Sequence, residues 1–312
     1  KMKKYLLTAV VAATVSSQAL AMSETLDTGY TETKYPIVLV HGFLGFEQLV
    51  GVDYWYKIPE TLQQDGAEVF VATVSNTNYP EVRGEQLIDQ VEDILAITGA
   101  EKVNLIGHSH GGPTTRYAGS VRPDIIASVS SISGVNKGTV VADTLIEWSD
   151  NSEVFGTAFD VFISGISEFI SFASGSDLPL APVESVRSMT TEASVTFNAA
   201  HPGGIPDSDC GEGDYEYNGV RYYSWAGAKP ATSLLDPLEP ITIAFSQFFP
   251  SGVANDGFVD PCTSNLGMVI RNDFAMTHLD EVNQMLGIHD LSETDPLTVF
   301  RTHANRLKND GL

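Results

Sequence analysis

Residues 107–112 read Gly-His-Ser-His-Gly-Gly, setting Ser109 in a Gly-x-Ser-x-Gly pattern between His108 and His110. A serine becomes an ester nucleophile when a histidine takes its proton, a carboxylate orients that histidine and backbone amides hold the oxyanion. The pattern alone is weak, because glycine-rich chains contain it by chance. Its surroundings strengthen it. An apolar run, residues 103–106, precedes it directly, and residues 113–123 read as a helix, so the serine sits on a strand-turn-helix elbow. The amide after the nucleophile then opens a helix N-terminus, where negative charge is favoured, which makes the N–H of His110 a candidate oxyanion donor. A second donor is expected after an earlier strand, and the run ending at Val40, followed by His41 and Gly42, offers the N–H of Phe43.

Residues adjacent to the serine on a sharp elbow point away from it, so His108 and His110 are read as scaffold, and their rings do not form a metal site. The chain order of this fold class is serine, acid, histidine, which directs the search for a base to His278, His289 and His303. His303 falls in an amphipathic helix with Val299, Phe300, Ala304 and Leu307 inward and is read as a surface residue. His289 has no strand before it. His278 follows a short strand in residues 267–277 and precedes a helix, which makes it the best-placed base. The acid is expected at the end of another strand, on a tight loop. Asp256 and Asp260 both qualify, and Asp256-Gly257 has the better turn chemistry.

These side chains need a frame. Continuous Val- and Ile-rich runs at 35–40, 68–74, 102–107 and 125–133 read as strands covered on both faces. Between the second and third, Leu87, Val91, Ile94 and Leu95 recur at helical spacing and Gly99 marks a stop. Strands alternating with helices predict a mostly parallel sheet in one α/β domain. A hairpin turning at Asn218-Gly219 is expected outside the parallel pattern. In residues 153–174, Phe155, Phe159, Phe162, Ile166, Phe169, Ile170 and Ala173 share one helical face, widened by Val161, Ile163 and Phe172. That stretch reads either as a buried core helix or as a flap whose apolar side meets substrate.

The chain has 312 residues, 43 % hydrophobic and 18 % charged, the balance of a compact enzyme. Residues 1–21 join lysines to a short apolar stretch and end in Ala19-x-Ala21, a secretory signal peptide cut after Ala21 that leaves 22–312 as one domain. The formal charge is -23, and loss of Lys1, Lys3 and Lys4 takes it to -23 - 3 = -26. So acidic a surface argues against nucleic acid and anionic lipid and favours a neutral substrate. Export favours a disulfide between the two cysteines, Cys210 and Cys262, with two buried free thiols as the alternative; the bond would add up to about 4 kcal/mol of stability in the chain-entropy model.

The motifs HGFLGF, VNLIGHSHGG, GVNKGT, CGEGDYEYNGVRYYSW, ANDGFVDPCTSNLGMVIRNDF, MTHLDEVNQ and ANRLKNDGL together resemble the Pseudomonas-type secreted bacterial triacylglycerol lipases, from about Tyr35 to Leu312. The resemblance implies an α/β-hydrolase fold with a helical lid at about 154–175. It also implies a triad of Ser109, Asp256 and His278, oxyanion amides from Phe43 and His110, and a Cys210–Cys262 disulfide. It further implies a structural calcium ion held by the carboxylates of Asp236 and Asp280 and the carbonyls of Gln284 and Ile288, and a dedicated foldase during export through the periplasm. Ile288 stands where the family usually has leucine, and Phe43 replaces leucine or methionine. The expected activity is hydrolysis of long-chain triacylglycerols at an oil–water interface by a monomer. A carboxylesterase for soluble short-chain esters and a binding protein on a hydrolase scaffold are the alternatives, the latter disfavoured because every triad member is present.

Overall fold

The computed structural model describes residues 29–312, so the signal peptide expected at 1–21 lies outside the described residues. The strands are β1 (Ile37–Val40), β2 (Gln48–Leu49), β3 (Val52–Asp53), β4 (Val69–Ala72), β5 (Val103–His108), β6 (Ile126–Ile132), β7 (Glu216–Tyr217), β8 (Val220–Gly227) and β9 (Met268–Phe274). The main sheet runs β4-β1-β5-β6-β8 with all neighbours parallel, and β9 joins β8 in parallel. Every residue of β1, β5 and β6 is buried, which is why their sequences are continuous rather than alternating. Along β1 the side chains still part by pleat: Ile37 and Leu39 join Trp55, Trp225 and Phe300 in one core layer, while Val38 and Val40 join Leu87, Val91 and Leu105 in the other.

The helices are α1 (Ile58–Gln64), α2 (Pro80–Thr98), α3 (Gly111–Val121), α4 (Val140–Asn151), α5 (Glu153–Ser174), α6 (Pro182–Ser188), α7 (Thr191–Ala200), α8 (Glu239–Ser246), α9 (Pro261–Ser264), α10 (Gln284–Gly287) and α11 (Pro296–Asn309). Helix α2 stops as expected at Gly99, whose left-handed backbone lets its N–H reach the carbonyl of Leu95 at 2.9 Å. From β1 the chain passes through α1 to β4 on one side, then through α2 to β5 on the other. The carboxyl ends of β1 and β5 therefore adjoin where the strand order reverses, the crevice in which open α/β sheets hold their sites.

Two expectations change, and one alternative that the sequence left open is narrowed. The Asn218-Gly219 hairpin forms, with both turn residues at positive φ, but only the two-residue β7 is antiparallel; β8, its second strand, lies inside the parallel sheet between β6 and β9. A tight turn reverses the chain without deciding what the following strand pairs with on its other edge. His303 is fully buried, not on the surface: Nε2 lies 2.7 Å from Ser130 Oγ on β6, and its ring packs on Trp225 and Tyr223. It is four residues from both Val299 and Leu307 on α11, so the stripe that turns those inward carries it too. Helix α5, finally, is not a core helix, for its buried residues are Ile163, Ser167, Ile170 and Ser171, whereas Val161, Phe162, Phe169 and Phe172 are exposed. The apolar stripe of the sequence is thus divided, with Phe162 and Phe169 exposed, Ile170 buried and the others half-buried.

Candidate active site

Ser109 ends β5 with φ of 56°, a left-handed conformation unfavourable for a side chain. Surrounding contacts hold it there: its N–H donates to Ile132 and its carbonyl accepts from Gly112, both at 2.9 Å. A Cβ at Gly107 would stand 2.2 Å from the Gly111 carbonyl oxygen, and one at Gly111 would stand 2.3 Å from the carbonyl oxygen of Val40. The outer glycines of the pattern therefore allow the elbow to close against the end of β1. That end carries His41, Gly42 and Phe43, and a Cβ on Gly42 would lie 2.8 Å from the Ser109 Cβ. No hydrogen bond leaves the Phe43 or His110 amide among the described residues, which keeps both N–H groups free for an anion.

The rings beside the serine are engaged elsewhere, as the elbow geometry predicts. His108 Nδ1 lies 2.6 Å from the Tyr54 hydroxyl, and His110 Nδ1 lies 2.6 Å from Arg83 Nη1. Burial pushes both imidazoles well below their ordinary range and keeps them neutral. The ring of His278 stacks 4.4 Å from that of His108 and 5.2 Å from Phe258. Its Nδ1 lies 2.7 Å from Asp256 Oδ2, and its backbone N–H donates to the Asp256 carbonyl at 3.0 Å, so Asp256 holds both the ring and the backbone of His278. Asp256 Oδ1 accepts from Phe258 and Val259 N–H at 2.8 Å each. Asp260 instead caps α9 through the amides of Cys262 and Thr263, which separates the two acids the turn left open. Two local expectations fail. No strand precedes Asp256, which follows α8 and a turn. Beyond His278 the chain makes a 3-10 turn, Asp280–Val282, and then a distorted α10 with Asn283, Met285 and Leu286 at positive φ, rather than a regular helix.

Known proteins match this arrangement. A family model described as alpha/beta hydrolase fold matches residues 35–199. The chain is 53 % identical over 285 residues to a triacylglycerol lipase of Vibrio cholerae serotype O1, covering 91 % of each. It is 38 % identical to a triacylglycerol lipase of Pseudomonas fragi, covering 90 % of this chain and 98 % of that one. The chain belongs to the bacterial triacylglycerol lipases. The mature form of Bacillus licheniformis lipase BlEst2 matches with a TM-score of 0.59 at 16 % identity, covering 88 % of this chain and 93 % of that one, a likeness of fold.

In this lipase, three residues that the motifs did not indicate complete the site. Arg83 of α2 is fully buried; Nη1 reaches the His110 ring and Nη2 donates to the His41 carbonyl at 2.6 Å, tying the elbow to the loop after β1. Burial lowers its guanidinium to about 9, which leaves it charged at neutral pH. Arg83 lies four residues before Leu87 on the inward stripe, a signal that was available. Tyr54 accepts the Gly42 N–H at 3.1 Å while its hydroxyl meets His108. Glu281, three residues beyond His278 and buried, accepts from Ser133 Oγ at 2.7 Å and from the Gly227 amide, and its other oxygen faces His108 Nε2 at 3.9 Å. Nothing in its local sequence marks it.

Asp280 fits a cation ligand. Its Oδ2 accepts from the Thr277 N–H at 2.9 Å and Thr232 Oγ1 at 2.7 Å, but buried Oδ1 has no protein partner. Burial raises its carboxyl to about 6, with neighbouring Asp236 adding to the rise. Two acids crowded out of water, one with an unmatched oxygen, form the donor set a hard divalent ion takes. Gln284 opens α10 and Ile288 directly follows it, and Gln284 Nε2 also bonds the Asp53 carbonyl at 2.8 Å.

The site is closed over. Ser109 and His278 are only 8 % and 5 % exposed. Phe159 of α5 packs against the same apolar cluster of Val135, Val186 and Met189 as Phe43 and Phe258 do. The Cys210–Cys262 disulfide, Cα–Cα 4.5 Å, fastens the loop before β7 to α9, just beyond Asp256.

Proposed function

We propose that the chain hydrolyses ester bonds of long-chain triacylglycerols at an oil–water interface, with Ser109 as nucleophile, His278 as base and Asp256 as its orienter. His278 takes the Oγ proton as Ser109 attacks the ester carbonyl. The amides of Phe43 and His110 hold the negative oxygen, and His278 passes the proton to the departing glyceride alkoxide. Water, deprotonated by His278, then attacks the acyl-enzyme, and the fatty acid leaves. Asp256 keeps the imidazole in the tautomer with Nδ1–H and stabilises it when charged. Calcium, when bound by Asp236 and Asp280 with the carbonyls of Gln284 and Ile288, supplies a rigid cross-link under the loop that bears His278. Export through a signal peptide, which rests on residues 1–21, assistance by a foldase, which rests on the resemblance, and action as a monomer are part of the same proposal.

The observation that carries this reading is the two-sided use of α5. Phe159 packs against the same buried apolar cluster as Phe43 and Phe258, while Phe162, Phe169 and Phe172 are exposed to solvent. That exposed apolar surface is costly in water and matches a lipid surface. The test is a hydrolysis profile across acyl lengths with and without an interface. Preference for emulsified long-chain triglyceride supports the proposal, and preference for dissolved butyrate esters assigns a carboxylesterase instead.

A further inference from the structure

Residues 75–78, Ser-Asn-Thr-Asn, follow β4 and run beneath the inward face of α5. Asn76 Nδ2 donates to the Ser167 carbonyl at 3.0 Å, and Ser167 Oγ donates to Asn76 Oδ1 at 2.6 Å. Thr77 Oγ1 lies 2.7 Å from the same serine hydroxyl. All three residues are buried, Ser167 and Thr77 completely. The middle of this phenylalanine-rich helix is thus fastened to the body by polar contacts shielded from water. The same loop also holds the chain beyond the helix: Asn78 Nδ2 donates to Pro179 at 3.1 Å and Ala181 N–H to Thr77 at 2.9 Å. Its start is anchored independently by Gln86, which accepts the Ser75 N–H at 2.8 Å and donates to Ser75 Oγ at 2.9 Å.

Asn76 has a second connection. Its carbonyl accepts the N–H of Leu44 at 2.8 Å, and Leu44, at φ of 53°, directly follows Phe43. We propose that Asn76 is a positioning residue through which α5 and the oxyanion loop are coupled: its side chain holds the lid helix at Ser167 and its carbonyl holds the loop that presents the Phe43 amide. The proposal rests on the lipase reading above. Hydrogen bonds of this kind are short-ranged, so lifting α5 releases them together rather than by degrees. On a lipid surface, burial of Phe162, Phe169 and Phe172 offsets their loss; in water nothing does.

The coupling separates two variants that a purely structural contact would not. Rates are taken per active site, counted with a covalent phosphonate, on a dissolved short-chain ester and on a triglyceride emulsion. Ser167→Ala removes the serine hydroxyl but leaves the Leu44 contact. Its rate on the dissolved ester should rise about tenfold, as expected for one to two lost buried hydrogen bonds, with kcat on the emulsion unchanged. Asn76→Ala keeps the backbone carbonyl that meets Leu44 but removes the side chain that fixes where that carbonyl stands, so the loop loosens and kcat on the emulsion should fall at least about tenfold with the interfacial KM unchanged. Asn76→Ser serves in its place if the alanine variant does not fold. The proposal is overturned if Ser167→Ala keeps the wild-type ratio of emulsion to dissolved rates, or if the Asn76 variant matches Ser167→Ala in kcat. A wild-type preference for the dissolved ester would be a different failure, that of the lipase reading itself, and would be seen before any variant is made.

Discussion

Asp256 meets His278 twice, and the two contacts predict different losses. Asp256→Asn keeps the backbone contact and the size of the side chain but presents an N–H to Nδ1, favouring the wrong tautomer. The expected result is a fall in kcat of about 10⁴ with the melting temperature nearly unchanged, measured by single-turnover acylation and calorimetry. Ser109→Ala should abolish acylation altogether in a folded protein, and residual turnover would exclude Ser109 as the nucleophile. Arg83 tests the oxyanion geometry from behind. Arg83→Lys retains a charge but not the planar fork that reaches the His110 ring and the His41 carbonyl together. Disturbing one oxyanion donor typically costs about 10²–10³ in kcat, so a loss near the lower figure with KM little changed is expected. An equal loss on all acyl lengths would mark the effect as oxyanion stabilisation rather than substrate fit.

At the scale of elements, the loop bearing His278 is held at both ends. Where β9 leaves the sheet, Arg271 Nη1 and Nη2 each meet Glu293 at 2.8 Å, and Glu293 also accepts the Ala275 and Thr294 amides. The hydrogen-bonded Arg271 pulls the Glu293 carboxyl from 4.5 down to about 2. A carboxylate whose folded pKa is depressed stabilises the fold above its unfolded pKa, and that stabilisation is lost as pH falls from about 4.5 towards 2. Glu293→Gln should therefore lower the melting temperature at pH 7 and flatten its decline across that acid window; an unchanged slope would show that the pair contributes nothing. At the loop's other end, excess chelator should lower melting temperature and activity together if Asp236 and Asp280 share an ion, and an unchanged melting curve would count against the calcium site. What could be read in advance follows the same division. Strands covered on both faces leave a continuous apolar run, and an elbow leaves its glycines, so β1, β5 and Ser109 were legible from local pattern. The inward face of α5 was not. Apolar spacing predicts which side avoids water, whereas α5 turns Ser167 and Ser171 inward because Asn76, Thr77 and the Ser176 carbonyl satisfy them. Glu281 and Tyr54 are invisible for a related reason, since partners far along the chain define them.

For the whole molecule, an apolar docking face and a strongly acidic surface act against each other at an interface that gains charge. With 17 basic and 40 acidic residues, the formal charge of -23 repels anionic lipid, and hydrolysis itself produces fatty-acid anions. Neutral triglyceride droplets admit the exposed phenylalanines of α5 without this penalty. Droplets doped with anionic phospholipid should slow the initial rate at low ionic strength, when the Debye length is about 30 Å and much of the protein's charge is felt at contact. Adding sodium chloride to about 1 M shortens that length to about 3 Å and should restore the rate towards that on neutral droplets. Sodium rather than calcium is the salt of choice, because calcium would also precipitate the product and act on the proposed Asp236–Asp280 site. A rate equally insensitive to salt on both kinds of droplet would show that adsorption is governed by the apolar face alone, and that the acidic surface acts only on solubility.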